Sequence, residues 1–266
     1  MGTDLIDVLE SESIYIIREA FRLVHPLCTL WSIGKDSTAL LWLIRKAFFG
    51  RMPFPVVHLD TGMELDEVYA FRDRLIADWQ IPFLSVQCPP ESEVDPTLPP
   101  ASRAAARKTA GLKNLIAERR FKGVFVGIRR DEQATRAKER VFSPRNAAGT
   151  WQYTDQPAEL WGYYAADLPE GSHLRIHPLL HWSEIDVWRY TLREGIPSVP
   201  LYFAKDGKRY RSLGEKNITL PIESTASTLE EIITELEATR EPERAGRVMD
   251  YDSEDAFERL RVGGYM

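Results

Sequence analysis

Leu27-Cys28-Thr29-Leu30-Trp31, then Ser32-Ile33-Gly34-Lys35-Asp36-Ser37, then a run from Thr38 to Phe49 decides the fold. The first five residues are an apolar run that suits a buried strand. The next six form a polar loop, and Thr38–Phe49 is patterned as an amphipathic helix. Strand, short loop and helix in that order make a phosphate cradle, because a helix N-terminus presents unpaired N–H groups and a partial positive charge. Gly34 permits close backbone approach and Lys35 adds a full charge, while Ser32, Ser37 and Thr38 add hydroxyl donors. Asp-Ser-Thr alone is ordinary helix-capping chemistry. The whole Ser-x-Gly-Lys-Asp-Ser string after an apolar strand is far more specific. A Walker A loop would have Gly at the Thr29 position and Ser or Thr where Asp36 stands. A Gly-x-Gly-x-x-Gly turn is also missing, which disfavours a dinucleotide fold.

Working outward, the alternation continues. Asp4–Val24 is periodic enough for a helix ending at Pro26. Pro55–Leu59 reads as a strand, Glu64–Trp79 as a helix and Pro82–Gln87 as a third strand. A Pro-rich stretch, CPPESEVDPTLPP, then cannot be regular structure. Ala104–Arg119 is helical and Gly123–Gly127 is a fourth strand. Such alternation predicts an α/β fold, a parallel sheet with helices on both faces, because parallel neighbours need crossover connections. Beyond Gly127 the rhythm changes. Leu174–His177 is a candidate fifth strand and Ser183 a cap for a helix to about Arg193. The segments around them, up to Ser172 and over Gly195–Pro221, look irregular. Thr228–Ala238 is a last helix, with Ser227 the expected cap.

The 266 residues carry a formal charge of −6, unevenly spread. From Glu223 to Met266 there are 12 acidic and 5 basic residues, so the chain up to Ile222 is close to neutral. We therefore expect a nucleotide-binding domain over 1–222 and an acidic C-terminal helix and tail over 223–266. An acidic total argues against a general nucleic-acid binder. No apolar run reaches the ~18 residues of a membrane span. Two distant cysteines, Cys28 and Cys88, exclude a disulfide framework and a cysteine-based zinc site, and fit a reducing, cytoplasmic setting.

Two further stretches fall on the carboxyl edge of the predicted sheet, where ligands bind in open α/β folds. His58-Leu59-Asp60-Thr61-Gly62 closes the second strand, either as a plain turn into the next helix or as a nucleotide or Mg²⁺ contact through Asp60. Arg129–Arg145 follows the fourth strand. There Arg129, Arg130, Arg136, Lys138, Arg140 and Arg145 outnumber Asp131, Glu132 and Glu139. Arginine suits bidentate recognition of sulfate and phosphate oxyanions, so an anion-binding loop competes with a merely solvated face. The histidines make no metal constellation. His58 and His177 alternate with apolar residues as structural groups do, and Cys28 reads as core packing.

Ser-x-Gly-Lys-Asp-Ser resembles the pyrophosphate loop of the ATP-pyrophosphatase superfamily, whose fold is of the adenine-nucleotide α-hydrolase type. Within it the chain is similar to the small, ATP-binding subunit family of bacterial sulfate adenylyltransferases. The matching strings are Leu9–Ala20, Ser32–Ser37, Arg45–Gly62, Arg129–Ser143, Pro157–Trp161, Arg175–Tyr190 and Ile222–Thr228, in family order over nearly the whole chain. The related branch, 3′-phosphoadenylylsulfate reductase, shares the loop, the Asp-Thr-Gly and the fold. The resemblance implies adenylyl transfer from ATP to sulfate with Mg²⁺, and a GTPase partner subunit. It implies Ser32, Gly34, Lys35, Asp36 and Ser37 around the pyrophosphate, with Asp60 and Gly62 near the nucleotide. Arg129 and Arg130, then Arg136 and Arg140, would contact sulfate or the α-phosphate.

The chain departs from that family in four places. A segment between Phe203 and Lys208 is short, and Glu215–Pro221 replaces a Cys-containing turn. Met63-Glu64 replace an aromatic–basic pair, and Arg261–Met266 replace a basic ending. A paralogue acting on another oxyanion, or a catalytically silent nucleotide-binding subunit, is the alternative. A reductase needs a C-terminal thiolate, and no cysteine follows Cys88.

Overall fold

The computed structural model describes residues 4–241, 243 and 262–264. Its centre is the expected strand–loop–helix, β1 (Leu27–Leu30) leading into α2 (Lys35–Ala47). Helix α1 (Leu5–Leu23) precedes them, capped by the Asp4 carboxylate. Then follow β2 (Val56–Asp60), α3 (Asp66–Trp79), β3 (Phe83–Gln87), α4 (Pro100–Arg119) and β4 (Gly123–Phe125). Strands β5 (Phe142–Arg145) and β6 (His173–Ile176) and helix α5 (Glu184–Glu194) complete the main layers.

The six strands form one sheet in the order β3-β2-β1-β4-β6-β5, parallel except for β5. Every residue of β1 and β2 is buried, as expected of parallel strands covered on both faces. The chain moves outward from β1 to β3 and then jumps back past β1 to β4. Right-handed crossovers therefore put α2 and α3 on one face and α4 on the other. The reversal falls between β1 and β4, the switch point at which open α/β sheets leave a crevice. The loop after β1 lies at that crevice.

Several elements differ from the sequence reading, α2 among them, since Lys35–Ser37 already form its first turn. Helix α4 starts at Pro100 rather than Ala104, because Pro is tolerated in a first turn, where its missing N–H has no partner to lose. Phe142–Arg145, expected only as the end of the charged segment Arg129–Arg145, is a strand. It is the antiparallel edge, a place where Pro144 is permitted and where one polar stretch gives no alternating signal. The last helix, α6 (Leu229–Ala238), is capped by Thr228 rather than Ser227. Glu231 stands three residues after Thr228, and the two close a capping box.

The expected boundary at 222/223 falls inside β8 (Ile222–Glu223), which pairs with β7 (Lys208–Arg209). Helix α6 also buries Ile232 in the main core, and Glu235 holds the fully buried Arg209 at 2.6 Å. Residues 223–238 thus belong to the body. The rest of the acidic tail lies outside the described residues, apart from 239–241, Glu243 and Val262–Gly264, and so do Arg261, Tyr265 and Met266 of the altered ending. Val262 and Gly264 dock on the body, their carbonyls accepting from the Trp151 N–H and the Arg175 guanidinium. Among the described residues no helix is long and apolar enough to cross a membrane.

Candidate active site

The turn from β1 into α2 is made by Ile33, a buried β-branched residue at φ 65°. Such a residue avoids the left-handed region unless its surroundings hold it there, and this kind of strain gathers at functional turns. Gly34 itself has an ordinary φ of −76° and caps the helix. Ser37 Oγ donates to the Gly34 carbonyl at 3.1 Å and lies 3.1 Å from Ser32 Oγ, so the hydroxyls brace the loop. The Lys35 N–H donates to the buried Tyr202 hydroxyl at 2.9 Å. Asp36 and Ser37, whose first-turn N–H groups have no intrahelical partner, line the cleft beside it.

That cleft, of about 180 Å³, is walled by Ser32, Gly34, Lys35, Asp36 and Ser37 from the loop. Leu30, Val126, Ile128 and Leu213 give it an apolar side, and Lys108, Glu132 and Arg136 a charged one. Gly127 closes the floor. A Cβ there would stand 3.1 Å from the Ser37 N and Cα, backbone atoms of the first turn of α2. Gly127→Ala is therefore expected to cost about 1–3 kcal/mol through overpacking, read as a lower urea midpoint at unchanged m-value.

Lys35 and Arg129 are the electrostatic centre, their side chains 2% and 0% exposed. Lys35 Nζ lies 3.2 Å from Asp36 Oδ2 and also contacts Glu243. Arg129 contacts Asp36 through one terminal nitrogen and Glu243 through the other, while its Nε meets Asp131 at 2.9 Å. Burial opposes the charge on both cations. The carboxylates of Asp36 and Glu243 outweigh it and hold both protonated, well above their ordinary values. Burial likewise pushes Glu243 up, but Lys35 and Arg129 pull it down to about 2. Asp131 carries the network outward by accepting the backbone N–H of Glu184 at 2.7 Å, and Glu184 holds Arg211 at 2.8 Å.

The other expected residues divide. Arg136 lines the cleft and pairs with Glu132. Arg130 does not line it, and reaches the Glu139 carbonyl at 3.4 Å instead. Arg140 is likewise outside the wall, its carbonyl accepting from His177 at 2.7 Å. Arg145 forms a buried pair with Glu139 at 3.0 Å, a structural brace. Asp60 ends β2 on the correct edge, yet its Oδ1 is spent on the Gly62 N–H at 2.8 Å and the Tyr69 hydroxyl at 2.7 Å. Burial pushes Asp60 up, but these donors outweigh it and keep the carboxyl below its usual range. Asp60 and Gly62 therefore shape the turn beside the cleft rather than its wall. Arg107 fixes the same turn by donating to the Thr61 and Pro89 carbonyls.

Sequence reading missed Lys108, Glu132, Tyr202, Ser212–Gly214 and Glu243. Helical and loop positions far along the chain carry no local pattern that marks a neighbour of Lys35. Tyr202 sits in the Gly195–Pro221 segment, which reads only as irregular.

Neither cysteine belongs to the cleft. Cys28 is buried in β1, and burial pushes its thiol up. Cys88 is 7% exposed against Gly111 and is pushed up to about 11, again by burial. A thiol reagent at neutral pH is expected to find neither cysteine in the folded chain and both in denaturant. Rapid native labelling of Cys88 would contradict this burial.

Comparison with known proteins bears on the family and the fold. The family profile described as phosphoadenosine phosphosulfate reductase domain matches residues 26–221. Sulfate adenylyltransferase subunit 2 of Pseudomonas aeruginosa PAO1 is 39% identical, over 97% of this chain and 96% of its own. The protein of the same name from Colwellia psychrerythraea is 38% identical over 100% of both. Both alignments are longer than this chain, so the relatives carry segments that it lacks. Among solved structures, FMN adenylyltransferase of Candida glabrata with ATP superposes at TM-score 0.59, with 16% identity, over 93% of this chain and 91% of that one. The Candida auris phosphoadenylyl-sulfate reductase, a phosphate complex, does so at 0.54, with 15% identity, over 83% and 99%. These two share the fold. On the sequence matches, the chain belongs to the phosphoadenosine phosphosulfate reductase domain family and, within it, to the family of sulfate adenylyltransferase subunit 2.

Proposed function

We propose that this chain transfers the adenylyl group of ATP to sulfate, releasing pyrophosphate, as the ATP-binding member of a heteromer whose other subunit is a GTPase. The observation that carries the reading is the convergence of the Lys35 ammonium, from the first turn of α2, and the Arg129 guanidinium on one anion position at the β1/β4 switch point. A sulfate oxygen attacks the α-phosphorus, the bond from that phosphorus to the bridging oxygen breaks, and pyrophosphate leaves with the electron pair. Sulfate is already ionised, so no general base is required. The protein's task is in-line positioning and stabilisation of charge on the transferring and leaving groups.

Lys35, Arg129 and the first-turn N–H groups of α2 hold the pyrophosphate, with Ser32 and Ser37 bracing the loop. The apolar wall of Leu30, Val126 and Leu213 takes the nucleoside. Arg136, within the cleft wall, is our choice for sulfate; Arg130 and Arg140 would have to turn into the cleft to share that contact. Asp60 and Gly62 hold the nucleotide edge in shape. Among the described residues no three acidic, histidine or cysteine side chains converge to cage a metal. That suits Mg²⁺, which takes one or two carboxylates and otherwise rides on the phosphates. Asp36, in the cleft wall, would be that carboxylate once phosphates draw Lys35 or Arg129 from it, and the ion would neutralise phosphate charge. Unpaired Cys28 and Cys88 are compatible with the cytoplasm as the site of this work. They also disfavour the reductase alternative, whose nucleophile would have to be an accessible thiolate.

The test is sulfate-dependent exchange of labelled pyrophosphate into ATP, with and without a GTPase partner. Exchange with sulfate is expected. Exchange with selenate or molybdate but not sulfate would move the reading to another oxyanion. No exchange with any of the three, despite tight ATP binding, would leave a silent nucleotide-binding subunit.

A further inference from the structure

Glu243 spans the two buried cations of the cradle, one carboxylate oxygen on Lys35 Nζ and the other on Arg129 Nη2. Two oxygens of one anion shared between two cations is also how a phosphate group would sit there. The Glu243 side chain is 6% exposed, so the contact is sealed rather than incidental. It comes from beyond the last described helix, 208 positions from Lys35, and so is not part of the strand–loop–helix that builds the cradle. The backbone just before it is tied down, since Arg211 donates to the Glu241 carbonyl at 2.9 Å. Arg211 is itself held by Glu184 at the start of α5. With Glu243 in the wall, the cleft of about 180 Å³ is smaller than the ~300–1,000 Å³ of ordinary ligand pockets.

A carboxylate and a phosphate cannot accept from the same two donors at once. We infer that Glu243 is a built-in competitor of pyrophosphate: it neutralises the cradle of the empty protein, leaves when the phosphates of ATP enter, and returns to help expel pyrophosphate. The inference rests on the cleft being the ATP site. Lys35 and Arg129 share the one carboxylate of Asp36, and a second carboxylate bridging the two buried cations balances their charge, which gives Glu243 its place in the empty state. The consequence is quantitative. If only a fraction of the molecules have the cradle open, the apparent Kd of any phosphate ligand rises by the inverse of that fraction.

The experiment is calorimetric titration of the full chain, in Mg²⁺, with inorganic pyrophosphate and with α,β-methylene ATP. Wild type is compared with Glu243→Gln, which keeps the shape and removes the charge, and with Glu243→Asp, which keeps the charge and shortens the reach. Glu243→Gln is expected to bind pyrophosphate at least tenfold more tightly than wild type and to be less stable to urea without ligand. Glu243→Asp should fall between the two. A merely structural brace would lower stability while leaving pyrophosphate affinity unchanged or weaker, and that result overturns the inference. Should Glu243→Gln fail to fold, an unchanged affinity in Glu243→Asp overturns it equally. If wild type and variants bind neither ligand, the ATP reading of the cleft falls and this inference with it. Binding without a difference between them removes the competitor alone.

Discussion

Lys35→Ala is expected to lower sulfate-dependent ATP–pyrophosphate exchange by about 10²–10³-fold, the scale of losing one preorganised charge from a transition state. The effect should be large because the ammonium is sealed from solvent and held charged by its carboxylate neighbours. Charge interactions in such a place are far less screened than in water. The substitution also leaves Asp36 and Glu243 facing the cleft with Arg129 alone, so the cradle changes from nearly balanced to net negative. ATP affinity should therefore fall together with the turnover rate. Lys35→Arg keeps the charge but spreads it over a planar fork that the Lys35 volume does not fit, and only partial recovery is expected. Steady-state exchange rates and ATP titrations check both variants. A loss below threefold in Lys35→Ala would remove this lysine from the machinery.

Arg129→Met is expected to cost stability as well as activity. Its guanidinium is fully buried and in contact with three carboxylates, Asp36, Asp131 and Glu243. Removing one partner of a buried ionic cluster leaves uncompensated charge and typically costs ~3–5 kcal/mol, whereas a surface pair would cost ~1 kcal/mol or less. Asp131 also accepts the Glu184 N–H, so the loss should spread to the start of α5. The pH dependence has a definite sign. A carboxylate held below its unfolded pKa stabilises the fold above that value and loses the contribution as pH falls through the folded one. For Glu243 this window runs from the ordinary carboxylate range near ~4.3 down to about 2. The gap between wild type and Arg129→Met should thus be complete at neutral pH and narrow on acidification below the ordinary range. Urea unfolding at pH 7 and at about pH 3, inside that window, measures it, and equal midpoints for the two proteins at pH 7 would contradict the buried cluster.

The fold was legible wherever burial is continuous. Leu27–Trp31, Pro55–Leu59 and Gly123–Gly127 each mark a strand closely, because parallel strands covered on both faces must be apolar throughout. The edge strand over Phe142–Arg145 was not legible, since an edge position admits Pro144 and charged neighbours. The phosphate loop was legible because its chemistry is local: Gly34 to Ser37 all lie in the first turn of one helix or at its cap. The arginine loop was legible only as a composition. Six basic residues promised anion binding, but which of them face the cleft depended on partners far along the chain. Arg129 meets Asp36, Arg145 meets Glu139 in a brace, and Arg130 turns to a carbonyl.

By itself, then, the sequence determined the α/β alternation, the phosphate cradle and the family, because each is written in residues close together or in strings kept in order. Tertiary structure alone decided that Tyr202 caps the cradle, that Arg129 rather than Arg130 completes it, and that Glu243 of the acidic C-terminal region fills it. The physical reason is range. Backbone periodicity and first-turn N–H groups act over a few residues, whereas buried charges must find counter-ions wherever the fold brings one within hydrogen-bonding distance, here 208 positions away.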